Sequence, residues 1–446
     1  MKISKYTFLF DVDSAEFYIY STLSNALIEI DEVSYELLRE AKMRKSDVSG
    51  SDLDDELYKV LESKKFIVEN DMDGFLYYKS IIMTQRADTT HLHMTIAPTM
   101  DCCFRCHYCF EKYKEPNYMS VEVMDSIVNY LKKQNGSPDY RLTWFGGEPL
   151  MALEQIERLY DKLESGYKKP TSSNMITTGF HINKEAVRVM KKVGVEQVQI
   201  TLDGLKDTHN KVKFTHGCDD AFTTVLDNIE LLLSSSDIHV IFRVNLTKQN
   251  ASEYVELYNC LINRYEGYRN FGVSPAFVMD RGACTMTDNG DGALFFSPSD
   301  TAKFVIDLNH RYKIHSPFLL YPSRFFNECA IRNVMSISFD PEGYAYKCWE
   351  VIGNKEYAVG RLNPDGLLRV TNEVTLNRHL FGADPFDDAI CSSCRYLPIC
   401  HGGCPIQRIE NTFEGKKNCC CTYRKGYLEK FLKIHLALVK AGFDNH

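Results

Sequence analysis

The feature that most limits the possible folds is an alternation of strand and helix patterns that runs from His91 to Arg311. Short apolar runs predict strands, and apolar residues spaced three and four apart predict the helices between them. The six predicted strands cover residues 91–98, 141–145, 175–180, 197–202, 239–246 and 271–277. Strands that alternate with helices at this spacing predict parallel βα units. We therefore expect an α/β fold with its functional residues at the carboxyl ends of the strands.

Two of the intervening helices have clear local signals. Ser120 is expected to cap the first helix, because a serine oxygen can accept a hydrogen bond from a backbone N–H of the first turn. The helix predicted at 220–233 has an apolar stripe, which is expected to face the core. Its members are Phe222, Val225, Leu226 and Ile229.

Three cysteines follow the first predicted strand at close spacing. Cys102, Cys106 and Cys109 form the pattern C-x3-C-x2-C. Thiolates at that spacing can hold three irons of a [4Fe–4S] cluster and leave the fourth iron open for another ligand. A zinc site is the alternative, because Cys103 brings the segment to four cysteines within eight residues.

This pattern resembles the signature of the radical S-adenosylmethionine (SAM) superfamily, with Tyr108 as the aromatic residue before the last cysteine. The resemblance implies that the amino and carboxylate groups of SAM chelate the open iron. One electron from the cluster would then break a C–S bond and yield a 5′-deoxyadenosyl radical. It also implies that the six βα units form the partial (β/α)6 barrel of that superfamily.

The segment Gly146-Gly147-Glu148-Pro149 follows the second predicted strand. Glycines let the backbone approach a ligand closely, and a carboxylate can bind an ammonium group. The segment resembles the GGE motif of the superfamily. The resemblance implies that Gly146, Gly147 and Glu148 bind the amino group of SAM; an ordinary turn is the alternative.

Three later strand ends also match superfamily motifs. Thr201-Leu202-Asp203-Gly204 resembles the segment near the SAM ribose, so Thr201 and Asp203 are expected there. Arg243 resembles the arginine that pairs with the SAM carboxylate, which suits a planar fork of two donors. A structural salt bridge is the alternative for Arg243. Thr178 stands where the superfamily often has Asn, so its role is left open.

A second group of cysteines occupies the C-terminal third and resembles the SPASM domain, which holds two auxiliary [4Fe–4S] clusters. The pattern has Cys329, Gly343-x4-Cys348, Cys391-x2-Cys394-x5-Cys400-x3-Cys404 and Cys419-Cys420-Cys421. By position, the resemblance assigns Cys329, Cys348 and Cys404 to an inner cluster. It assigns Cys391, Cys394, Cys400 and Cys421 to an outer cluster, with Cys420 as the next candidate for the last ligand. A zinc ribbon is the alternative.

The inner cluster has one ligand position in question. Ser323 stands where the SPASM pattern often supplies a further ligand. The cluster would then keep an open iron, which could bind a substrate thiolate or carry electrons. The distant Cys284 could instead complete it, and the sequence does not choose between these.

The first 90 residues predict a small domain of their own. Strands are expected at 8–10, 17–20, 25–30 and 66–69, and helices at 33–41 and 54–62. The order resembles the winged-helix-like recognition domain of enzymes that modify ribosomally made peptides, which binds a leader peptide as an added strand. A decorative domain or an oligomer contact is the alternative. The domains expected are therefore peptide recognition over 1–90, a radical SAM barrel over 91–315 and a SPASM domain over 316–446.

Composition argues against several classes of protein. The net charge of −8 disfavours nucleic-acid binding, which needs a basic face. No window is apolar enough for a membrane helix, and the N-terminus lacks the apolar core of a signal peptide. We therefore expect a cytoplasmic protein. Its 16 cysteines are then expected to bind metal rather than to form disulfides.

These features predict a radical SAM maturase that crosslinks or otherwise modifies a ribosomally synthesised precursor peptide. The cofactors would be SAM and three [4Fe–4S] clusters, with a flavodoxin or ferredoxin as reductant. A thioether, C–C or C–O bond would each fit. A base is needed to take up a proton, and Asp280, Glu328 and Glu350 are acidic candidates, none of them preferred.

Two other functions are carried as alternatives. One is an anaerobic sulfatase-maturating enzyme, which makes formylglycine on a protein. That family typically has an Asp directly after the glycine-linked cysteine, where this chain has Trp349. The other is a non-catalytic iron–sulfur or zinc protein that carries electrons or binds a partner. Such a protein has no use for the Gly146-Gly147-Glu148 segment.

Overall fold

The computed structural model of the chain describes residues 1–106, 108–109, 116–215, 217–279, 294–322 and 329–443. They form two compact units. The first unit consists of Met1–Ala87, Ser297–Cys329 and Phe381–His446, and the second of Asp88–Phe296 and Ala330–Leu380. The units therefore cut across the three segments expected from the sequence, and the functions assigned to those segments stay predictions. Four predicted residues lie outside the described ranges, namely Asp280, Cys284, Ser323 and Glu328.

The strands are numbered in chain order. They are β1 (Lys2–Ile3), β2 (Thr7–Val12), β3 (Glu16–Ser21), β4 (Ala26–Ile30), β5 (Ile67–Val68), β6 (His91–Ile96), β7 (Asp139–Trp144), β8 (Ser172–Thr177), β9 (Val195–Leu202), β10 (His239–Leu246), β11 (Phe271–Phe277), β12 (Ser336–Phe339), β13 (Tyr344–Tyr346), β14 (Gly360–Leu362) and β15 (Leu368–Val370).

The α-helices are numbered in the same way. They are α1 (Glu32–Arg44), α2 (Asp55–Ser63), α3 (Asp71–Arg86), α4 (Val121–Lys132), α5 (Leu153–Gly166), α6 (Lys184–Lys192), α7 (Lys206–Val212), α8 (Ala221–Ser235), α9 (Tyr254–Arg264), α10 (Pro298–His310), α11 (Pro317–Leu320), α12 (Glu373–Phe381), α13 (Ala389–Ser393), α14 (Leu397–Cys400), α15 (Pro405–Phe413) and α16 (Leu428–Lys440).

The second unit is built on one open sheet with the strand order β11-β10-β9-β8-β7-β6-β12-β13-β14-β15. Strands β6 to β11 are parallel and lie in chain order, as the six predicted βα units require. Strand β12 returns to pair in parallel with β6, and β13 to β15 continue as antiparallel neighbours. The predicted α/β fold with parallel strands is confirmed.

The helices of the second unit bury the faces that the sequence predicts. Ser120 caps α4 by accepting a hydrogen bond from the backbone N–H of Val123. The stripe on α8 is buried as expected, at Phe222, Val225, Leu226 and Ile229. Each such side chain contributes about 1.5–3 kcal/mol when fully removed from water, so these helices hold the sheet in place.

The first unit contains the antiparallel sheet β2-β3-β4, whose two faces are both covered. Successive residues of a strand point to opposite faces. Phe8, Phe10, Tyr18 and Tyr20 pack with Ile399, Leu428 and Leu432 from the C-terminal part of the chain. The opposite face carries Ile19 and Ile30, which pack with α1 and α2. The N-terminal sheet is therefore the middle layer of its unit.

The predicted N-terminal elements are confirmed as β2, β3, β4, α1, α2 and β5. Helix α3 is an addition that the sequence pattern did not predict. Asn70 caps it through the backbone N–H of Asp73, and its buried positions include Gly74 and Arg86. In the part of the chain that the structure describes, no helix is long and apolar enough to cross a bilayer.

Candidate functional site

A cavity of about 350 Å³ lies at the carboxyl ends of the parallel strands in the second unit. Its volume is at the lower end of the range of small-molecule sites. The wall includes eight residues that the sequence analysis singled out for the cluster or SAM. These are Cys102, Cys106, Tyr108, Cys109, Gly146, Gly147, Thr201 and Arg243.

The loop after β6 presents the three predicted cluster cysteines to this cavity. Asp101 Oδ1 accepts a hydrogen bond from the backbone N–H of Cys102 at 2.8 Å. The fully buried Phe104 packs with Cys102 and, at a ring distance of 5.2 Å, with Phe180. Cys103 is partly buried beside this apolar cluster and does not line the cavity. Cys103 thus packs beside Cys102 and Cys106 but is not part of the cavity wall.

The donors at the cavity are of the kind that an iron–sulfur cluster needs, because three cysteines line one space and thiolate is the usual cluster ligand. Within the described ranges, no group of three or more His, Cys, Asp or Glu side chains is arranged to hold a metal ion. The ligand assignments therefore stay predictions.

Gly146 and Gly147 place the loop after β7 directly on the cysteine loop. Gly146 has a φ of 104°, and a Cβ on Gly147 would lie 2.0 Å from the backbone oxygen of Asp101. The backbone N–H of Glu148 donates to that same oxygen at 2.7 Å. Gly146 and Gly147 therefore allow the loop after β7 to contact the cysteine loop. This contact is between two parts of the protein, whereas the sequence motif predicts contact with a ligand.

Glu148 is fully buried behind the cavity and its carboxylate is held by four hydrogen bonds. Oε1 accepts from the Leu150 N–H at 3.0 Å and from the Thr177 hydroxyl at 2.5 Å. Oε2 accepts from the Thr178 N–H at 2.8 Å and from its hydroxyl at 2.5 Å. In this state Glu148 ties the ends of β7 and β8 together, and its predicted contact with the SAM amino group stays a prediction.

Tyr108 connects the cysteine loop to the ends of two other strands. Its hydroxyl donates to Asp203 Oδ1 at 2.5 Å and accepts from Asn245 Nδ2 at 3.2 Å. Asn250 Nδ2 donates to the backbone oxygen of Asp203 at 2.6 Å. Burial, reinforced by the Asp203 carboxylate, raises the pKa of Tyr108 well above its ordinary value. Asp203 is thus not part of the cavity wall but accepts a hydrogen bond from Tyr108, which is. Its predicted place near the SAM ribose stays a prediction.

Lys213 lines the same cavity and was missed by the sequence analysis. Its side chain is 6 % exposed, and Nζ lies 3.8 Å from Asp203 Oδ2. Burial acts to lower the pKa of Lys213, but the charges of Cys106, Tyr108, Asp203 and Cys102 outweigh it and raise that pKa well above its ordinary value. No sequence pattern marks a buried lysine, since lysines are almost always exposed.

Arg243 and Glu350 both line the cavity, together with Trp349. Arg243 Nε donates to Asn245 Oδ1 at 3.2 Å. The Trp349 ring lies 5.9 Å from that of Phe145. Glu350 is the acidic candidate that the structure places at the cavity. Thr178, whose role was left open, also lines it, as do Gln199 and Asn245.

The predicted outer-cluster cysteines all lie in the first unit. Burial raises the pKa of the Cys400 thiol, and the charges of Cys421 and Cys391 raise it further. Arg408 donates from Nη1 to the sulfur of Cys391 at 3.3 Å. The assignment of the four cysteines to one cluster stays a prediction.

The other C-terminal cysteines differ in setting. A Cβ on Gly403 would lie 2.1 Å from the Cys420 backbone oxygen, so the loop before Cys404 packs on the triple cysteine. Cys329 is exposed and belongs to the first unit, whereas Cys348 belongs to the second. The inner-cluster ligand set therefore stays a prediction.

The family comparison agrees with the site. Residues 96–261 match the model of the Radical SAM superfamily. The chain is 20% identical to the radical SAM cyclopropyl synthase TigE of Paramaledivibacter caminithermalis, over 90% of this chain and 89% of that protein. It is 21% identical to the cysteine-type anaerobic sulfatase-maturating enzyme of Clostridium novyi, over 76% of this chain and 95% of the enzyme.

Two solved structures share the fold at low identity. The first is anSMEcpe with bound AdoMet and the Cp18Cys peptide, with a TM-score of 0.57, 19% identity and coverage of 80% of this chain and 99% of that one. The second is Streptococcus suis SuiB bound to its precursor peptide SuiA, with a TM-score of 0.50, 15% identity and coverage of 95% and 99%. The three cysteines, the Gly146-Gly147 turn and Arg243 all lie within residues 96–261, so the cavity is built largely by the part of the chain that is similar to the Radical SAM superfamily.

Proposed function

We propose that the protein is a radical SAM maturase that installs a crosslink or a related radical modification on a ribosomally synthesised precursor peptide. The observation that carries the proposal is the shared cavity of Cys102, Cys106 and Cys109 with the Gly146-Gly147 turn and Arg243. Cysteines that can ligate iron, together with an arginine that can pair with a carboxylate, are the groups that a cluster and SAM together need.

The residues of the cavity have separate tasks in this proposal. Cys102, Cys106 and Cys109 hold the cluster, and Arg243 binds the SAM carboxylate. When bound, the cluster and SAM supply the carbon radical that takes a hydrogen atom from the substrate. Trp349 and Phe145 belong to the apolar part of the wall, which keeps water from that radical.

A peptide substrate is supported by two features. The chain aligns along nearly its whole length with SuiB, which was solved with its precursor peptide. The first unit contains the antiparallel sheet β2-β3-β4, whose outer strands have one unpaired edge each in the described chain. An extended leader peptide could pair with such an edge, since β-strand addition needs only backbone donors and acceptors.

The first experiment measures SAM cleavage. Anaerobically reconstituted protein with dithionite and SAM is expected to release 5′-deoxyadenosine, and a variant with Cys102, Cys106 and Cys109 replaced by Ala is expected to release none. Equal release from both proteins would refute the radical SAM assignment. Co-expression with a short peptide encoded beside this chain then tests the substrate. A crosslink is expected to lower the peptide mass by two hydrogens, and an unchanged mass would count against the peptide.

A sulfatase-maturating activity is the second candidate, favoured by the relative from Clostridium novyi. That activity makes formylglycine, which a carbonyl-reactive probe detects. Trp349 argues against it, because an acidic residue is expected at that place and Trp349 instead packs near Phe145. Formylglycine on a sulfatase-derived peptide, with no change in any precursor peptide, would favour this candidate over the first.

A further inference from the structure

Lys213 is a buried cation at the wall of the cavity, and the established roles of the superfamily residues leave it without a task. It follows α7, and its backbone N–H donates to the His209 backbone oxygen at 2.7 Å, which fixes where the side chain begins. The side chain then runs inward to a position that is 6 % exposed. A buried ammonium is costly unless negative charge or hydrogen bonds compensate it, so its surroundings need an explanation.

The compensation from Asp203 is incomplete. Lys213 Nζ lies 3.8 Å from Asp203 Oδ2, which is beyond hydrogen-bond distance. That oxygen is buried and has no hydrogen-bond partner among the described residues. The other carboxylate oxygen, Oδ1, already accepts from Tyr108. Asp203 therefore attracts the Lys213 ammonium by charge but does not accept a hydrogen bond from it.

The remaining contacts of Lys213 point to the cysteine loop. Nζ lies 5.8 Å from the centre of the Phe104 ring, within cation–π range. Cys102 and Cys106, on either side of Phe104, line the same cavity as Lys213. A cation beside cysteines stabilises their thiolate form. A cation beside an iron–sulfur cluster likewise stabilises the reduced cluster, which carries one more negative charge than the oxidised one.

We infer that Lys213 is a positioning residue whose ammonium holds the cysteine loop to Asp203 and makes the cluster bound by Cys102, Cys106 and Cys109 easier to reduce. The inference rests on the proposed function, because it concerns a cluster at those three cysteines. Reduction adds negative charge next to a fixed positive one. Loss of the ammonium therefore shifts the midpoint potential of that cluster to a more negative value.

The test uses the full-length protein after anaerobic reconstitution and does not depend on turnover. Redox titration is followed by electron paramagnetic resonance, and the signal of interest is the one lost when Cys102, Cys106 and Cys109 are replaced by Ala. Lys213→Met is expected to keep its iron and to show a smaller reduced fraction at every fixed potential. Lys213→Arg is expected to restore the wild-type curve. Lys211→Met is the matched control, because Lys211 is an exposed lysine on α7, two residues before Lys213.

The outcomes separate the inference from the proposed function. No cluster signal in the wild-type protein would refute the proposed function. A normal wild-type signal with the same potential in Lys213→Met would overturn only the role of Lys213. If Lys213→Met loses iron while its circular dichroism stays native, the expected retention of iron is wrong and the role in cluster reduction is overturned. If it does not fold, Lys213→Gln takes its place, and an unchanged potential in that variant overturns the inference.

Discussion

The phenol oxygen of Tyr78 lies 2.6 Å from Nδ1 of His401, so helix α3 is bonded to the loop between two predicted cluster cysteines. Burial lowers the pKa of His401 to about 4, which keeps this contact a neutral hydrogen bond near pH 7. A second hydrogen bond between the N-terminal and C-terminal segments of the first unit runs from the Thr22 hydroxyl to the Arg395 backbone oxygen at 2.8 Å. The N-terminal residues are thus a structural part of the segment that carries the predicted outer cluster.

Deletion of residues 1–87 is therefore expected to unfold the rest of the first unit. It would expose Ile399, Leu428 and Leu432, each of which gains about 1.5–3 kcal/mol from burial. Limited proteolysis should then cut within 381–443 much faster than in the full chain. The matched control is Val33→Ser, which changes an exposed side chain of the same N-terminal segment. Equal protection of 381–443 in the truncated chain would show that the N-terminal sheet is dispensable for this unit.

Gly147→Ala is expected to displace the cysteine loop, because its Cβ would meet the Asp101 backbone oxygen at 2.0 Å. Small displacements of reacting groups cost on the order of 100-fold in rate, and we expect a loss of that size in 5′-deoxyadenosine release. Gly272→Ala is the control, since the nearest atom to its Cβ lies at 4.0 Å. Wild-type release from Gly147→Ala would mean that the two loops can separate without harm.

Cys421→Ser is expected to lower the iron content by about 4 Fe per chain, the loss of one cluster. Cys421 is the ligand that the resemblance assigns, whereas the sulfur of Cys420 accepts from Asn411 Nδ2 and donates to the Asn418 backbone oxygen, each at 3.8 Å. Cys420→Ser is accordingly expected to keep the iron of the outer cluster. Iron and sulfide analysis of both reconstituted variants decides the question, and the reverse result would make Cys420 the ligand.

His209 is expected to make the protein less stable in mild acid. Burial lowers its pKa to about 4, whereas an unfolded histidine titrates near 6.5. Between these values the unfolded chain binds a proton that the folded chain does not. The stabilisation is therefore complete above about pH 6.5 and is lost as the pH falls toward 4.

The melting temperature of the wild type should fall more steeply over this window than that of His209→Leu. His310→Leu, at an exposed site, should follow the wild type. Parallel curves for all three proteins would contradict the assignment.

The parallel strands could be predicted because their buried positions alternate along short segments that are separated by helical patterns, as in β7 and β9. Helix α3 could not, because its buried side is formed by Gly74, Tyr78, Ile82 and Arg86, two of which are not apolar. Three exposed apolar residues, Met72, Leu76 and Met83, further obscure the pattern. Periodicity detects a buried face only where that face is apolar.

The site was predictable to the extent that cysteine spacing and the two glycines are local in sequence. The internal bonds of Glu148 and the position of Lys213 depend on residues that the fold brings together from different strands. The same holds for the first unit, where Phe8 and Ile399 share one core. A local sequence pattern cannot show which distant segments pack together. The three domains predicted as continuous segments therefore differ from the two compact units, which combine distant segments.

Strand β12 lies against β6 in the register Phe339 to Ile96, and the hairpin that follows it leads to Cys348 and Trp349. Trp349 therefore reaches the cavity from a segment that follows all six parallel strands in the chain, whereas the cysteine loop follows the first of them. Substitutions at Trp349 are accordingly expected to change which molecules the cavity admits while the loop of Cys102, Cys106 and Cys109 keeps its place.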